Sequence, residues 1–279
     1  MSERNQAELE LAEQTAVALD RIREKSPLIH NITNYVVMND TANILLAVGA
    51  SPVMAHAIEE VREMVGYAGA LVLNIGTLEE AWVEAMLAAG EEANARGIPV
   101  VLDPVGAGAT RLRTATTERI LRGLGVAVVR GNAGEISTVA GLVGEVRGVD
   151  SVSAADPEAA ARAVAVRIRG AAVASGAIDY VADRTRIAEI RNGDPLMGRI
   201  TGSGCMATAM IGAFLAVEPD PFLASVEAMI AFNIAGETAA ALSAGPGTFR
   251  QQLIDAVANL DRATIVARAR VTLRGAQAE

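Results

Sequence analysis

Residues 70–104 read ALVLNIGTLEEAWVEAMLAAGEEANARGIPVVLDP, and their pattern sets the fold class. An apolar run at 70–74 turns through Asn74-Ile75-Gly76-Thr77. Residues 78–95 then have helical length and composition, and a second apolar run follows at 99–102. Strand, polar turn, helix, strand is the βαβ grammar of a parallel sheet, whose strands are buried on both faces and need no polar alternation.

Outward from this unit the grammar repeats. Further short apolar runs stand at 52–55, 126–129 and 171–174, with helical segments at 113–124 and 157–169. Upstream, Leu9, Ala12, Ala16, Leu19 and Ile22 recur at helical spacing, which predicts an amphipathic helix. Downstream, 178–182 and 186–191 flank Asp183-Arg184-Thr185, the pattern of a β-hairpin at a sheet edge. From 202 to about 260 the chain reads as mainly helical, broken at Gly245-Pro246-Gly247. Without a repeat, a low-complexity tract or a Pro/Ser-rich linker, the expectation is one α/β domain over all 279 residues.

Composition narrows the function. Hydrophobic residues make up 51% of the chain but aromatics only 3%, so the core is built from Ala, Val, Ile and Leu. A net charge of −9 without a clustered basic surface argues against a nucleic-acid partner. A phosphate remains bindable, because a few backbone N–H groups hold an anion without net positive charge. The lone cysteine, Cys205, excludes an internal disulfide framework and a multi-cysteine zinc site and is compatible with a reducing compartment. The segment 1–14 lacks the apolar centre of a signal peptide. The uncharged stretch 200–217 begins with polar and flexible residues and reads as a buried helix rather than a membrane span.

In an open α/β sheet ligands bind beyond the carboxyl ends of the strands, so the polar turns are where chemistry is sought. The segment Thr201-Gly202-Ser203-Gly204-Cys205 opens a long apolar helix. Its glycines admit a ligand close to the backbone, and free first-turn N–H groups suit a phosphate. The same field lowers the pKa of a thiol at Cys205 from about 8.5, giving a group that draws off or orients an attacking hydroxyl's proton. The alternative is a buried, inert cysteine at a glycine-rich helix start. Asp103-Pro104-Val105-Gly106-Ala107-Gly108 follows the run at 99–102, either as a magnesium carboxylate with a loop over phosphates or as an ordinary β–α turn. In Arg130-Gly131-Asn132-Ala133-Gly134-Glu135, Arg130 suits bidentate phosphate binding and Glu135 a water-mediated magnesium contact, while Asn132 and Glu135 also have capping-box spacing. His30 and His56 read as hydrogen-bonded structural residues, Met54 as packing or pocket lining, and Trp82 as core. The P-loop signature is absent.

Several longer motifs, in order, carry a resemblance: Thr33-Asn34-Tyr35-Val36-Val37, Gly49-Ala50-Ser51-Pro52-Val53-Met54-Ala55, the turns at 103–110, 130–136 and 201–205, and Gly245-Pro246-Gly247-Thr248-Phe249. From about His30 to Phe249 the chain resembles the hydroxyethylthiazole kinases of the ribokinase-like superfamily. That resemblance implies a three-layer ribokinase-like α/β fold with a mostly parallel central sheet. It implies transfer of the γ-phosphate of ATP, with Mg2+, to 5-(2-hydroxyethyl)-4-methylthiazole, a step of cytoplasmic thiamine salvage. By motif matching, Cys205 stands where most ribokinase-like enzymes keep an aspartate base. Met54 and Gly202 match thiazole contacts, and Arg130 and Ser175 match ATP contacts, with Ser203 and Gly204 in the anion hole. Asp103 and Glu135 match the magnesium region. A homotrimer with pockets between subunits is also implied. Ser175 departs from the threonine common at its position but keeps the hydroxyl. Competing readings are a kinase of another small alcohol such as hydroxymethylpyrimidine, a hydrolase pairing Cys205 with His30 or His56, and a non-catalytic nucleotide-binding protein.

Overall fold

The computed structural model describes residues 6–142 and 156–275. Its strands are β1 (Leu28–Ile32), β2 (Ser51–Val53), β3 (Ala70–Asn74), β4 (Val100–Asp103), β5 (Val128–Asn132), β6 (Ala171–Ser175), β7 (Asp179–Ala182), β8 (Arg186–Ile190) and β9 (Val271–Gly275). They form a nine-stranded sheet in the order β2-β1-β3-β4-β5-β6-β7-β8-β9. Pairing is parallel from β2 through β6 and antiparallel from β6 through β9.

Alternation along the strands feeds two cores, because successive side chains leave opposite faces. In β3, Ala70 and Val72 join one core while Leu71 and Leu73 join the other. The first core packs α1 (Gln6–Lys25), α2 (Met38–Val48), α8 (Ser203–Leu215), α9 (Pro221–Leu242), α10 (Pro246–Ala258) and α11 (Arg262–Arg268) on one face. The second packs α3 (Val61–Val65), α4 (Glu80–Arg96), α5 (Arg111–Gly123), α6 (Ala133–Val139) and α7 (Pro157–Ile168) on the other. The result is three layers, with a sheet apolar on both faces, as the βαβ pattern requires.

Element ends follow local chemistry. Thr110 caps α5 by accepting from the Arg113 N–H, Asp156 and Pro157 start α7, and the left-handed Gly97 ends α4. Two expectations are corrected. The hairpin β7–β8 is not at the sheet edge, because β9 pairs with β8 and takes that place. In α1 the buried stripe runs through Leu11, Thr15 and Ala18 besides Ala12, Ala16, Leu19 and Ile22, while Leu9 faces solvent. The stretch 200–217 contains α8, buried between the sheet and α9. No helix among the described residues is long and apolar enough to cross a membrane.

Candidate active site

The carboxyl ends of adjacent parallel strands line up Asn74 with Asp103, and Asn132 with Ser175. Across this row comes the start of α8. Gly202, its N-cap, has φ +86°, a left-handed backbone that favours glycine, and a Cβ there would come within 2.8 Å of Val37 Cγ1. The first-turn amides of Ser203, Gly204 and Cys205 have no helical acceptor behind them, so they are donors for whatever lies in front. A Cβ on Gly204 would meet Arg130 Nη1 at 2.5 Å, so only glycine lets the guanidinium lie against this turn.

Arg130 is aimed by Ser175. Its Nη2 donates to Ser175 Oγ at 2.7 Å, and that hydroxyl donates to the Gly131 carbonyl at 3.2 Å. Arg130 Nε is buried without a partner among the described residues. A buried, unsatisfied donor on a cationic group suits an incoming anion. Arg130, Ser175, Gly202, Ser203 and Gly204 all line one cavity of about 600 Å³, which runs on to Asp179, Met197, Phe232 and Asn233. That volume is typical of a small-molecule site.

Behind the turn lies a polar cluster in which Asn74 is the hub. Its Nδ2 donates to Asp103 Oδ2 at 2.9 Å and to Cys205 Sγ at 3.1 Å, and its Oδ1 accepts from Asn34 Nδ2 and the Gly76 N–H. Thr208 Oγ1 gives Asp103 Oδ2 a second bond at 2.8 Å. Burial pushes the Asp103 carboxyl up to about 6, against the pull of Arg130 and the hydrogen bond from Thr208. Burial, helped by the Asp103 charge, pushes the Cys205 thiol up to about 12. This overturns the expectation of a lowered thiol pKa: the helix end favours a thiolate, but loss of solvation outweighs it. The surroundings of Cys205 therefore favour the neutral thiol.

Glu135 fills the capping box. Asn132 Oδ1 accepts from the Glu135 N–H at 3.0 Å, while Glu135 Oε2 accepts from the Asn132 N–H at 2.8 Å. Its other oxygen accepts from the Gly106 N–H at 2.7 Å, tying the loop after Asp103 to α6. Arg113, which sequence reasoning passed over, secures that loop from the far side by donating to the carbonyls of Ile75, Gly76 and Val105. The sole hint of this was an arginine in the first turn of a capped helix.

Met54 is not brought to the cavity. It is half-buried just beyond edge strand β2, and its carbonyl accepts from His56 Nδ1. Neither histidine serves Cys205. His30 donates Nε2–H to the Ala55 carbonyl at 2.6 Å, and burial lowers its pKa; His56 packs its ring on Trp82. The cysteine–histidine hydrolase therefore has no dyad. Trp82 is buried, as expected, and also packs against Tyr35. Among the described residues no group of three or more His, Cys, Asp or Glu side chains is placed to hold a metal by itself. Magnesium needs no such cage where phosphates and waters complete its shell.

Comparison with known proteins gives the family. The profile of the hydroxyethylthiazole kinase family matches residues 19–263. A hydroxyethylthiazole kinase of Desulforudis audaxviator is 56% identical over 263 residues, covering 94% of this chain and 96% of the relative. The solved hydroxyethylthiazole kinase of Pyrococcus horikoshii superposes with a TM-score of 0.88 at 44% identity, covering 94% and 99% of the two chains. A ribokinase-like superfamily protein from Enterococcus faecalis, 12% identical with a TM-score of 0.65, covers 89% of this chain and 93% of its own and shares the fold alone. The ribokinase-like layers, the glycine-lined helix start beside Arg130 and the matching profile agree: this chain is an enzyme of the hydroxyethylthiazole kinase family.

Proposed function

We propose that the chain, acting as one kinase domain, transfers the γ-phosphate of ATP to the primary hydroxyl of 5-(2-hydroxyethyl)-4-methylthiazole, with Mg2+, as a step of thiamine salvage in the cytoplasm. The observation that carries this reading is the meeting of the first-turn amides of α8 and the Arg130 guanidinium at the cavity, with the Cys205 thiol in the polar cluster behind the same turn.

Phosphoryl transfer asks a protein mainly for positioning and charge stabilisation. Arg130, fixed by Ser175, would hold the phosphates, and its unpartnered Nε is a ready donor to them. The amides of Ser203, Gly204 and Cys205 would face the oxygens of the migrating group. Asp103 receives two protein hydrogen bonds, both on Oδ2. That leaves Oδ1 for a cation directly or through water, with Glu135 as a second carboxylate. The cation supplies neutralisation of charge on the phosphate oxygens.

The alcohol oxygen forms its bond to phosphorus as the bridging bond to the β-phosphate breaks. Because the transition state is loose, the hydroxyl proton leaves late, to a phosphate oxygen or to water as the new O–P bond forms, and need not be removed before attack. A neutral Cys205, its sulfur accepting from Asn74, orients that hydroxyl instead of deprotonating it. We place the thiazole between Gly202 and Met54, in a homotrimer whose neighbouring copy completes the pocket. Support for the assembly comes from the edge strand β2 and the exposed apolar residues Tyr35, Val36, Ile58 and Tyr67.

Purified protein with Mg-ATP and the thiazole alcohol should release ADP and the phosphate ester in equal amounts. ATP bound without ester formed would favour the non-catalytic reading, and faster turnover of hydroxymethylpyrimidine would move the substrate to that alcohol.

A further inference from the structure

Beyond Arg130 and Ser175 the cavity continues between β7, α9 and the 3-10 turn Pro195–Arg199, and there one side chain stands out. Asn233, on α9, lines the cavity and is only 3% exposed. Its Nδ2 donates to Asp179 Oδ2 at 2.6 Å. Asp179 is itself buried, and its other oxygen accepts from the Gly176 N–H at 2.9 Å. A carboxylate oxygen facing an amide selects the amide's nitrogen, so this pair fixes which way Asn233 points. Its carbonyl oxygen Oδ1 receives no hydrogen bond from the described residues, yet it is not among the sealed, unpartnered polar atoms. It therefore opens into the cavity.

The other polar side chains on this wall are spent or lie at its rim. Asn192 donates to Glu237 and to the Arg268 carbonyl and accepts from the Arg270 N–H, while Asp194 caps Leu196 with Oδ1 and keeps its other oxygen at the half-exposed rim. Met197 supplies an apolar surface beside Asn233, its sulfur lying against Gly236 and Gly193. The wall thus offers, in the buried Asn233 Oδ1, an acceptor fixed in place beside a thioether that packs well on a flat ring.

We propose that Asn233 is a base-selecting residue: its Oδ1 accepts from the exocyclic 6-amine of a purine nucleotide packed on Met197, and so favours adenine over 6-oxopurines. A keto oxygen in place of the amine would set two acceptors against each other and leave a buried carbonyl unpaired, a penalty worth about tenfold or more in affinity. The inference rests on the reading of this cavity as the ATP site.

Binding of ADP and IDP by calorimetry tests it. The wild-type protein should bind ADP about tenfold more tightly than IDP. In Asn233→Ala the ratio should fall to within about twofold, with the loss on the ADP side. N6,N6-dimethyl-ADP, which has no N6–H to donate, should bind the wild-type protein about as weakly as IDP does; this measurement decides the matter even if the variant fails to fold. A wild-type ratio near one, or a ratio unchanged in Asn233→Ala, overturns the assignment. The reaction itself is judged separately. Ester formed equally well from ATP and ITP sinks base selection and leaves the kinase reading intact. Selective ADP binding without ester formation does the reverse, and failure of both nucleotides to bind sinks both.

Discussion

At Cys205 two effects oppose each other, and their sizes decide the outcome. The end of a helix favours a nearby negative charge by about 0.3–1 kcal/mol. Taking an unpaired ion out of water costs several kcal/mol. With the Asp103 charge also opposing ionisation, the thiol rises to about 12 and remains protonated. Alkylation by iodoacetamide should therefore be slow at pH 7, and its rate should climb about tenfold per pH unit beyond pH 9, since the reactive thiolate grows with pH. A plateau near pH 8.5 would show that the helix end prevails. The same reasoning assigns Cys205 to orientation in the transition state. Cys205→Ala should lower kcat by about tenfold or more with KM little changed. An unaltered kcat would remove the thiol from the reaction.

Among the elements, α9 is buried on nearly all sides, the mark of a helix inside the fold rather than on it. In its second turn Glu227 is 2% exposed and its Oε2 has no partner. Burial, with help from the charges of Glu218 and Asp220, pushes this carboxyl up to about 8. Between about pH 4.5 and 8 the folded chain thus holds a proton that the unfolded chain has released, so this group's contribution to stability falls as pH rises through that window. Glu227→Gln should leave the melting temperature nearly unchanged at pH 5 and raise it at pH 9, by at most a few kcal/mol of stability. An equal shift at both pH values would mean that Glu227 does not titrate there. Legibility in the sequence also divides by element. β3 is legible to the residue because four apolar positions run up to Asn74, and α4 after it stops at the left-handed Gly97. β1 was missed because buried His30 and Asn31 interrupt its apolar pattern, and β9 because Thr272 and Arg274 face outward at the end of the chain. The candidate residues Asp103 and Arg130 are reached from sequence by the rule that ligands gather at strand ends. The hubs Asn74, Arg113 and Asn233 are not, since their work is defined by partners far away in the chain.

For the molecule as a whole, the sheet's two edges differ in a way that bears on assembly. At one end β9 is reached by the antiparallel strands and carries Arg274, paired with Glu158 and Glu189. Charge on an edge strand discourages pairing with another chain. At the other end β2 is short and uncharged, and the exposed Val36, Ile58 and Tyr67 sit on the connections between β1, β2 and β3. Met54 lies at this end, outside the cavity that holds Arg130 and the α8 amides. If Met54 contacts the thiazole, the wall that encloses the ring there must come from a second copy, so assembly and activity are linked. Sedimentation should give a mass about three times the 28.8 kDa chain. Ile58→Glu, which places a charge in that apolar surround, should shift the mass toward one chain and raise KM for the thiazole about tenfold or more, because desolvating an unpaired carboxylate opposes association. Nucleotide affinity should change little in the same variant, since Arg130, Ser175 and the α8 turn all belong to a single chain. A monomeric wild-type protein with full activity would break the link between the β2 edge and the thiazole pocket.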